Sequence, residues 1–143
     1  MTVSVRRAIV GSATAATLFS LAGLHVLWGL GSSFPFSHPD DLTDAVIGRP
    51  SVPSAEACYA VAGALTIAAA LVADVPRLPR SVQRLGVTGV GVVLATRAGL
   101  GFSGRTDAVS PGSVSTRFRR LDRRVYSPLC LALAAGAVVS RRR

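Results

Sequence analysis

Four runs of residues in this sequence are almost wholly apolar and too continuous to be the inward stripe of a helix in water. They cover residues 8–30, 57–75, 85–102 and 125–140. A water-soluble amphipathic helix breaks its apolar residues on every turn, because one face must meet solvent. These runs are apolar on all faces. Roughly 20 apolar residues cross the hydrocarbon core of a bilayer, with a working range of about 17 to 25. The first three runs reach that length, whereas the fourth is short and must borrow residues upstream. The expected fold is therefore all-α, a four-helix transmembrane bundle forming a single integral membrane domain over residues 1–143.

The charge pattern agrees with that solvent. The chain has 16 basic residues, all arginine, against 7 acidic ones, for a net charge of +9. In a soluble protein such an excess suggests nucleic acid. Here the arginines flank the apolar runs, where membrane proteins keep their basic residues. No aromatic-interleaved basic face and no zinc-ligand spacing accompanies them, so the lipid bilayer is the expected partner and nucleic acid is not. Arg6 and Arg7 before an apolar stretch resemble a signal peptide. The stretch outlasts a usual signal core, and no small-x-small cleavage site closes it, so it reads as a signal anchor and first helix.

The connections differ in character. Residues 31–56 form a polar loop holding Asp40, Asp41, Asp44 and Glu56, with a short surface helix expected over 41–47 and ended by Gly48. Residues 74–84 form a tight turn with Pro76, Pro79, Arg77, Arg80 and Arg84. In the third connection, residues 116–124 place Phe118, Leu121 and Val125 at helical spacing among Arg117, Arg119, Arg120, Arg123 and Arg124. That is a basic amphipathic segment suited to anionic lipid headgroups. Arginine bias is nearly balanced between the two sides. The first helix carries its two arginines on the N-terminal flank, which places both termini in the cytoplasm of a multi-pass cell-membrane protein, with dual topology as the alternative.

Helices in lipid associate through small residues. Ridges at four-residue spacing are available: Ser12, Ala16 and Ser20; Ala60, Ala64 and Ala68; Gly91, Ala95 and Gly99; Ala132, Gly136 and Ser140. The chain is so rich in alanine and glycine that such ridges permit a tight bundle without locating its interfaces.

Polar residues gather at one end. His25 and Trp28 share a face near the end of the first helix. Arg97 lies near the end of the third, Cys58 and Tyr59 open the second, and Asp122, Tyr126 and Cys130 follow one another at intervals of four around the start of the fourth. Alternating helix direction puts all of them on one side of the bilayer. An arginine inside a membrane helix costs about 2.5 to 3.5 kcal/mol at the centre and less near the end. Arg97 thus either pairs with Asp122 or snorkels to the headgroups. His25, Trp28, Arg97, Asp122 and Tyr126 form the candidate ligand site. Cys58 and Cys130 leave two readings, a disulfide between helices or two separate buried thiols. His38, Asp40, Asp41 and Asp44 are read as solvated or capping groups, so no metal and no cofactor is expected. No redox, nucleotide-binding or hydrolase motif anchors an enzymatic reading.

Four segments occur in a familiar order: His25-Val26-Leu27-Trp28-Gly29-Leu30-Gly31, Arg97-Ala98-Gly99-Leu100-Gly101-Phe102, Phe118-Arg119-Arg120-Leu121-Asp122, and Val125-Tyr126-Ser127-Pro128-Leu129-Cys130-Leu131. The chain resembles a bacterial family of small four-helix membrane proteins, domain-of-unknown-function family 3995. The resemblance implies four transmembrane helices and no assigned activity. Three functions stay open on these residues. The first is a non-enzymatic accessory or structural component acting with a membrane-protein partner or a second copy of the chain. The second is a binder or carrier of a small lipophilic or anionic molecule, and the third an enzyme using His25 or Tyr126 as acid and base. All three require lipid as solvent. The purified chain should stay dispersed only in detergent or lipid, and a monodisperse species on size exclusion in plain buffer would overturn this reading.

Overall fold

The computed structural model describes residues 2–75, 77–108, 111–112 and 115–140. Among these residues the fold is all helix and connection, with no strand. Helix α1 spans Val3–Gly29, α2 Pro39–Leu42, α3 Ala55–Val72, α4 Arg80–Phe102, α5 Thr116–Leu121 and α6 Ser127–Ser140. A π-helical turn, Thr43–Ile47, continues α2, and another, Asp122–Tyr126, joins α5 to α6. Pro76 and the terminal arginines Arg141, Arg142 and Arg143, which entered the reading of turn and orientation, lie outside the described residues.

Three helices, α1, α3 and α4, are long and apolar enough to cross a membrane, the mark of a membrane protein. The expected fourth span is shorter, since α6 has 14 residues. Its helical course nonetheless runs unbroken from residue 116 to 140, because the π turn keeps helical backbone angles at both ends. The basic segment is therefore the first part of one long helix. Boundaries also move outward at two N-termini. Arg80 directly follows Pro79, which cannot continue a helix backwards, so α4 starts five residues before the expected 85. Residues Val3–Arg7 extend α1 ahead of the apolar run. Helix α3 starts at the Ser54 cap, whose hydroxyl accepts from the Ala57 amide at 3.2 Å, and stops before Asp74, held at φ 62°.

Helix α1 packs most extensively on α3, and α4 on α6; lighter contacts of α1 with α6 and of α3 with α4 close the ring. The core at its centre is built from Ala15, Leu18, Ala69, Val72, Val87, Leu133 and Ala137. Leu18 is the only large apolar side chain of the long helices that is fully buried, while Phe19, Ile67 and Val93 stand 63%, 64% and 68% exposed. Small residues inside and large ones outside invert the sorting of a water-soluble core, as lipid solvation requires.

The expected ridges are largely misplaced. Ser12, Ala16 and Ser20 are exposed, as are Ala60, Ala64, Ala95, Gly99 and Ala132. The true seams run through Gly11, Thr14, Ala15, Leu18 and Ala22 on α1, Cys58, Ala62 and Ala69 on α3, and Val87, Gly91, Ala98 and Gly101 on α4. On α6 they take Leu133, Ala134, Gly136 and Ala137. A stripe of alternating three- and four-residue steps follows the 3.6-residue turn, whereas a strict four-residue step drifts off the face.

Gly136 marks the closest approach of α6 to α1: a Cβ there would overlap the Thr14 hydroxyl and lie 3.3 Å from its Cβ and Cγ2. Thr14 is branched at Cβ, so rotation alone cannot vacate that space. Gly136→Ala should destabilise the bundle by about 1 to 3 kcal/mol. At Gly89 an added Cβ meets nothing within 4 Å, so Gly89→Ala should be neutral or stabilising by up to about 1 kcal/mol. Thermal unfolding of the two variants in the same detergent checks the contrast, and equal melting temperatures would contradict this seam.

Candidate functional site

Asp122 occupies the first position of the π turn that joins α5 to α6, and it is 1% exposed. An ionised carboxylate at that depth requires several donors. Arg97 Nη2, from α4, donates to Oδ1 at 2.8 Å. The Thr106 hydroxyl, from the short 3₁₀ turn Thr106–Ala108, donates to Oδ2 at 2.6 Å. The Ser127 hydroxyl donates to Oδ1 at 3.3 Å. Of the two fates open to Arg97, pairing is the one realised, with 28% of its side chain still exposed. Its Nη1 is buried and has no hydrogen-bond partner among the described residues.

The π turn decides which residue serves Asp122. In an unbroken α-helix the residue four ahead, Tyr126, would lie over the carboxylate. The wider turn brings Ser127, five ahead, into that place. Pro128 accounts for the widening locally: it has no amide proton, and its ring would press on the carbonyl four residues back. Gly101 supplies the room on the facing helix. A Cβ there would overlap Ser127 Oγ and lie 2.9 Å from both Arg97 Nη1 and Asp122 Oδ2.

Tyr126 turns elsewhere. Its hydroxyl donates to the Ala45 carbonyl at 2.9 Å, and its ring lies 6.3 Å from that of Phe118. The 41–47 stretch, expected as a short surface helix, lies within a helical segment from Pro39 to Ile47 that folds onto α5. Leu42, Thr43, Ala45 and Gly48 are buried, and Gly48 sits under the Phe118 ring, where a Cβ would come within 2.8 Å. The Gly48 carbonyl accepts from the Ser115 amide at 3.0 Å, and the Ser115 hydroxyl donates to Asp44. Arg117 joins the same junction, 3.4 Å from Asp41, 3.7 Å from Asp44 and 5.7 Å from the centre of the Phe36 ring. It therefore faces the loop, away from the other four arginines of its segment. Arg119, Arg120, Arg123 and Arg124 are exposed and line, with Thr116, a shallow cleft of about 400 Å³.

His25 and Trp28 make a third unit. Their rings lie 4.8 Å apart at 57°. Nδ1 of His25 is 2.8 Å from the Leu21 carbonyl, an acceptor only, so that nitrogen carries the proton. Trp28 Nε1 donates to the Phe34 carbonyl at 2.7 Å, tying the end of α1 to the loop. Gly29 faces the Tyr59 ring, where a Cβ would come within 2.6 Å.

The five candidate ligand residues thus share one end of the molecule but fall into three units: Arg97 with Asp122, Tyr126 with Ala45, and His25 with Trp28. Sequence reasoning missed Thr106, Ser127 and Gly101. Ser127 and Gly101 carried a signal in the small residues beside Pro128 and Arg97; Thr106, in an irregular connection, carried none. Between Cys58 and Cys130 no disulfide is formed. Both are free thiols. They sit on α3 and α6, and α1 packs against both of those helices.

A family model described as a protein of unknown function matches residues 18–137, from within α1 to near the end of α6. No curated protein and no solved structure matches the chain.

Removing the charge of Asp122 while keeping its shape strands Arg97 at the helix boundary. Loss of one partner of a buried pair costs about 3 to 5 kcal/mol, and the partial exposure of Arg97 places Asp122→Asn at the lower end. Ser127→Ala should cost about 1 kcal/mol. Melting temperatures of Asp122→Asn, Arg97→Gln and the double variant should be strongly non-additive. A single Asp122→Asn variant that melts as the wild type does would remove this node from the stability of the fold.

Proposed function

The chain belongs to the DUF3995 family of proteins of unknown function, and from its three helices of membrane-crossing length we propose a non-enzymatic, multi-pass membrane protein, an accessory or structural component of its membrane. The observation that carries this reading is how the candidate side chains are used. Asp122, Tyr126 and Trp28 each bond within the chain. An acid–base site would hold such groups free toward a reactant. Here they fasten connections 31–56 and 103–124 over one end of the helices.

Four spans complete the proposal. The helical course over 116–140 is about 37 Å long at about 1.5 Å per residue. That length carries its arginines to headgroup level and sets its apolar part in hydrocarbon. Arg119, Arg120, Arg123 and Arg124 then lie where anionic lipid is attracted laterally. Both termini are cytoplasmic, which sets the cap on the opposite face.

A second reading, a small-molecule binder at the Arg97 node, is favoured by Arg97 Nη1, which is buried without a partner. A carbonyl or anionic oxygen of a ligand would satisfy it. The two readings part on a melting assay of the purified chain against extracts of its native membrane. A saturable stabilisation lost in Arg97→Gln supports the binder.

Topology is tested with paired reporters fused after Arg143 and near Pro50. A reporter active only in the cytoplasm should work after Arg143 and fail near Pro50, and one active only outside should do the reverse. Equal signals from both positions would overturn the single orientation proposed here.

A further inference from the structure

Among the described residues, the end of the bundle away from the cap is open. A cavity of about 1080 Å³ lies there among the N-terminal turns of α1 and α4, the last residues of α3 and Ser140 at the end of α6. Its size exceeds the span of about 300 to 1,000 Å³ usual for small-ligand pockets. Its rim holds four arginines, Arg7, Arg77, Arg80 and Arg84, against one acid, Asp74. Its floor is apolar and shallowly filled, made of Ala8, Gly11, Val72 and Val87.

One polar group inside this cavity has an unmet requirement. Gln83 donates through Nε2 to the Leu71 carbonyl, which fixes the orientation of its amide. Its Oε1 is buried and has no donor among the described residues. A buried acceptor without a donor is costly, and a partner from outside the chain relieves it.

We propose that this cavity is a binding site for one anionic glycerophospholipid whose headgroup carries a hydroxyl, such as phosphatidylglycerol. Three features select that chemistry together. The excess of four arginines over one acid matches a phosphodiester, the apolar floor matches the start of the acyl chains, and Gln83 Oε1 matches a donor on the headgroup. A free phosphate ion uses only the first of these, and a zwitterionic lipid places its own cation among the arginines. The inference rests on the chain lying in a membrane but not on the number of its spans or on the role of the capped end.

The test uses the full chain, delipidated in detergent, then given dioleoyl phosphatidylglycerol or dioleoyl phosphatidylcholine and followed by native mass spectrometry. The expected result is a single retained phosphatidylglycerol per chain and no comparable phosphatidylcholine adduct. Neutralising Arg77, Arg80 and Arg84 to glutamine should lower retention by about 100-fold, at about fivefold per arginine near a charged lipid surface. Ala8→Phe fills the floor without altering charge and should also lose the adduct, which keeps the proposal testable where the triple variant does not fold. Arg105→Gln, at the other end and exposed, should leave the adduct in place. Equal retention of both lipids overturns the proposal, as does an adduct that survives in a folded triple variant or in Ala8→Phe. Displacement by an equal concentration of inorganic phosphate, or loss of the adduct in Arg105→Gln, overturns it too. A chain that is monodisperse in plain buffer instead overturns the membrane reading itself.

Discussion

Asp122 is a charge in a place where charge is expensive, and much of the capped end is arranged around making it tolerable. Its carboxylate gathers a guanidinium from α4, a hydroxyl from the 103–115 connection and a hydroxyl from the first turn of α6. Each donor comes from a different element, so satisfying one group fixes three pieces of chain at once. In a low-dielectric setting those bonds are strong when complete and damaging when one is missing. The π turn and Gly101 are the two local features that make completion feasible. One brings Ser127 into reach, and the other lets the guanidinium and the carboxylate meet beside the α4 backbone.

From that node the rest of the cap follows by short links. The same π turn that presents Ser127 inward swings Tyr126 toward Ala45, which holds the first connection down. Phe118, one turn before Asp122, closes over Gly48 and is itself almost fully buried. Arg117 draws Asp41 and Asp44 to the same junction. The described parts of the two long connections thereby form one small polar and aromatic structure, whereas at the opposite end Arg7, Arg77, Arg80 and Arg84 line a cavity.

Three helices of membrane-crossing length were legible in the sequence because hydrocarbon imposes a length and a polarity that few other environments demand. The Arg97–Asp122 pair was legible as one of two outcomes, since an arginine at that depth has few ways to be accommodated. Packing faces were not. Helices made of alanine, glycine, valine and leucine on every side have almost no amphipathic signal, so no face announces itself as inward, and the ridges at Ala16, Ala64 and Ala95 proved to face outward. The division of the candidate site into three units was hidden for another reason. It depends on one extra residue in a helical turn and on a bond between Tyr126 and a backbone carbonyl 81 residues away, and neither leaves a mark in local spacing.

The sorting of small residues inward has a consequence for how this fold can change. A leucine exchanged for isoleucine on the outside meets only fluid acyl chains, which rearrange around it. A single methyl added at Gly101 or Gly136 meets a neighbouring helix that has nowhere to go. Identity in such a molecule is written in its least conspicuous side chains, and its bulky, varied exterior is free to drift with the thickness and fluidity of whatever bilayer surrounds it.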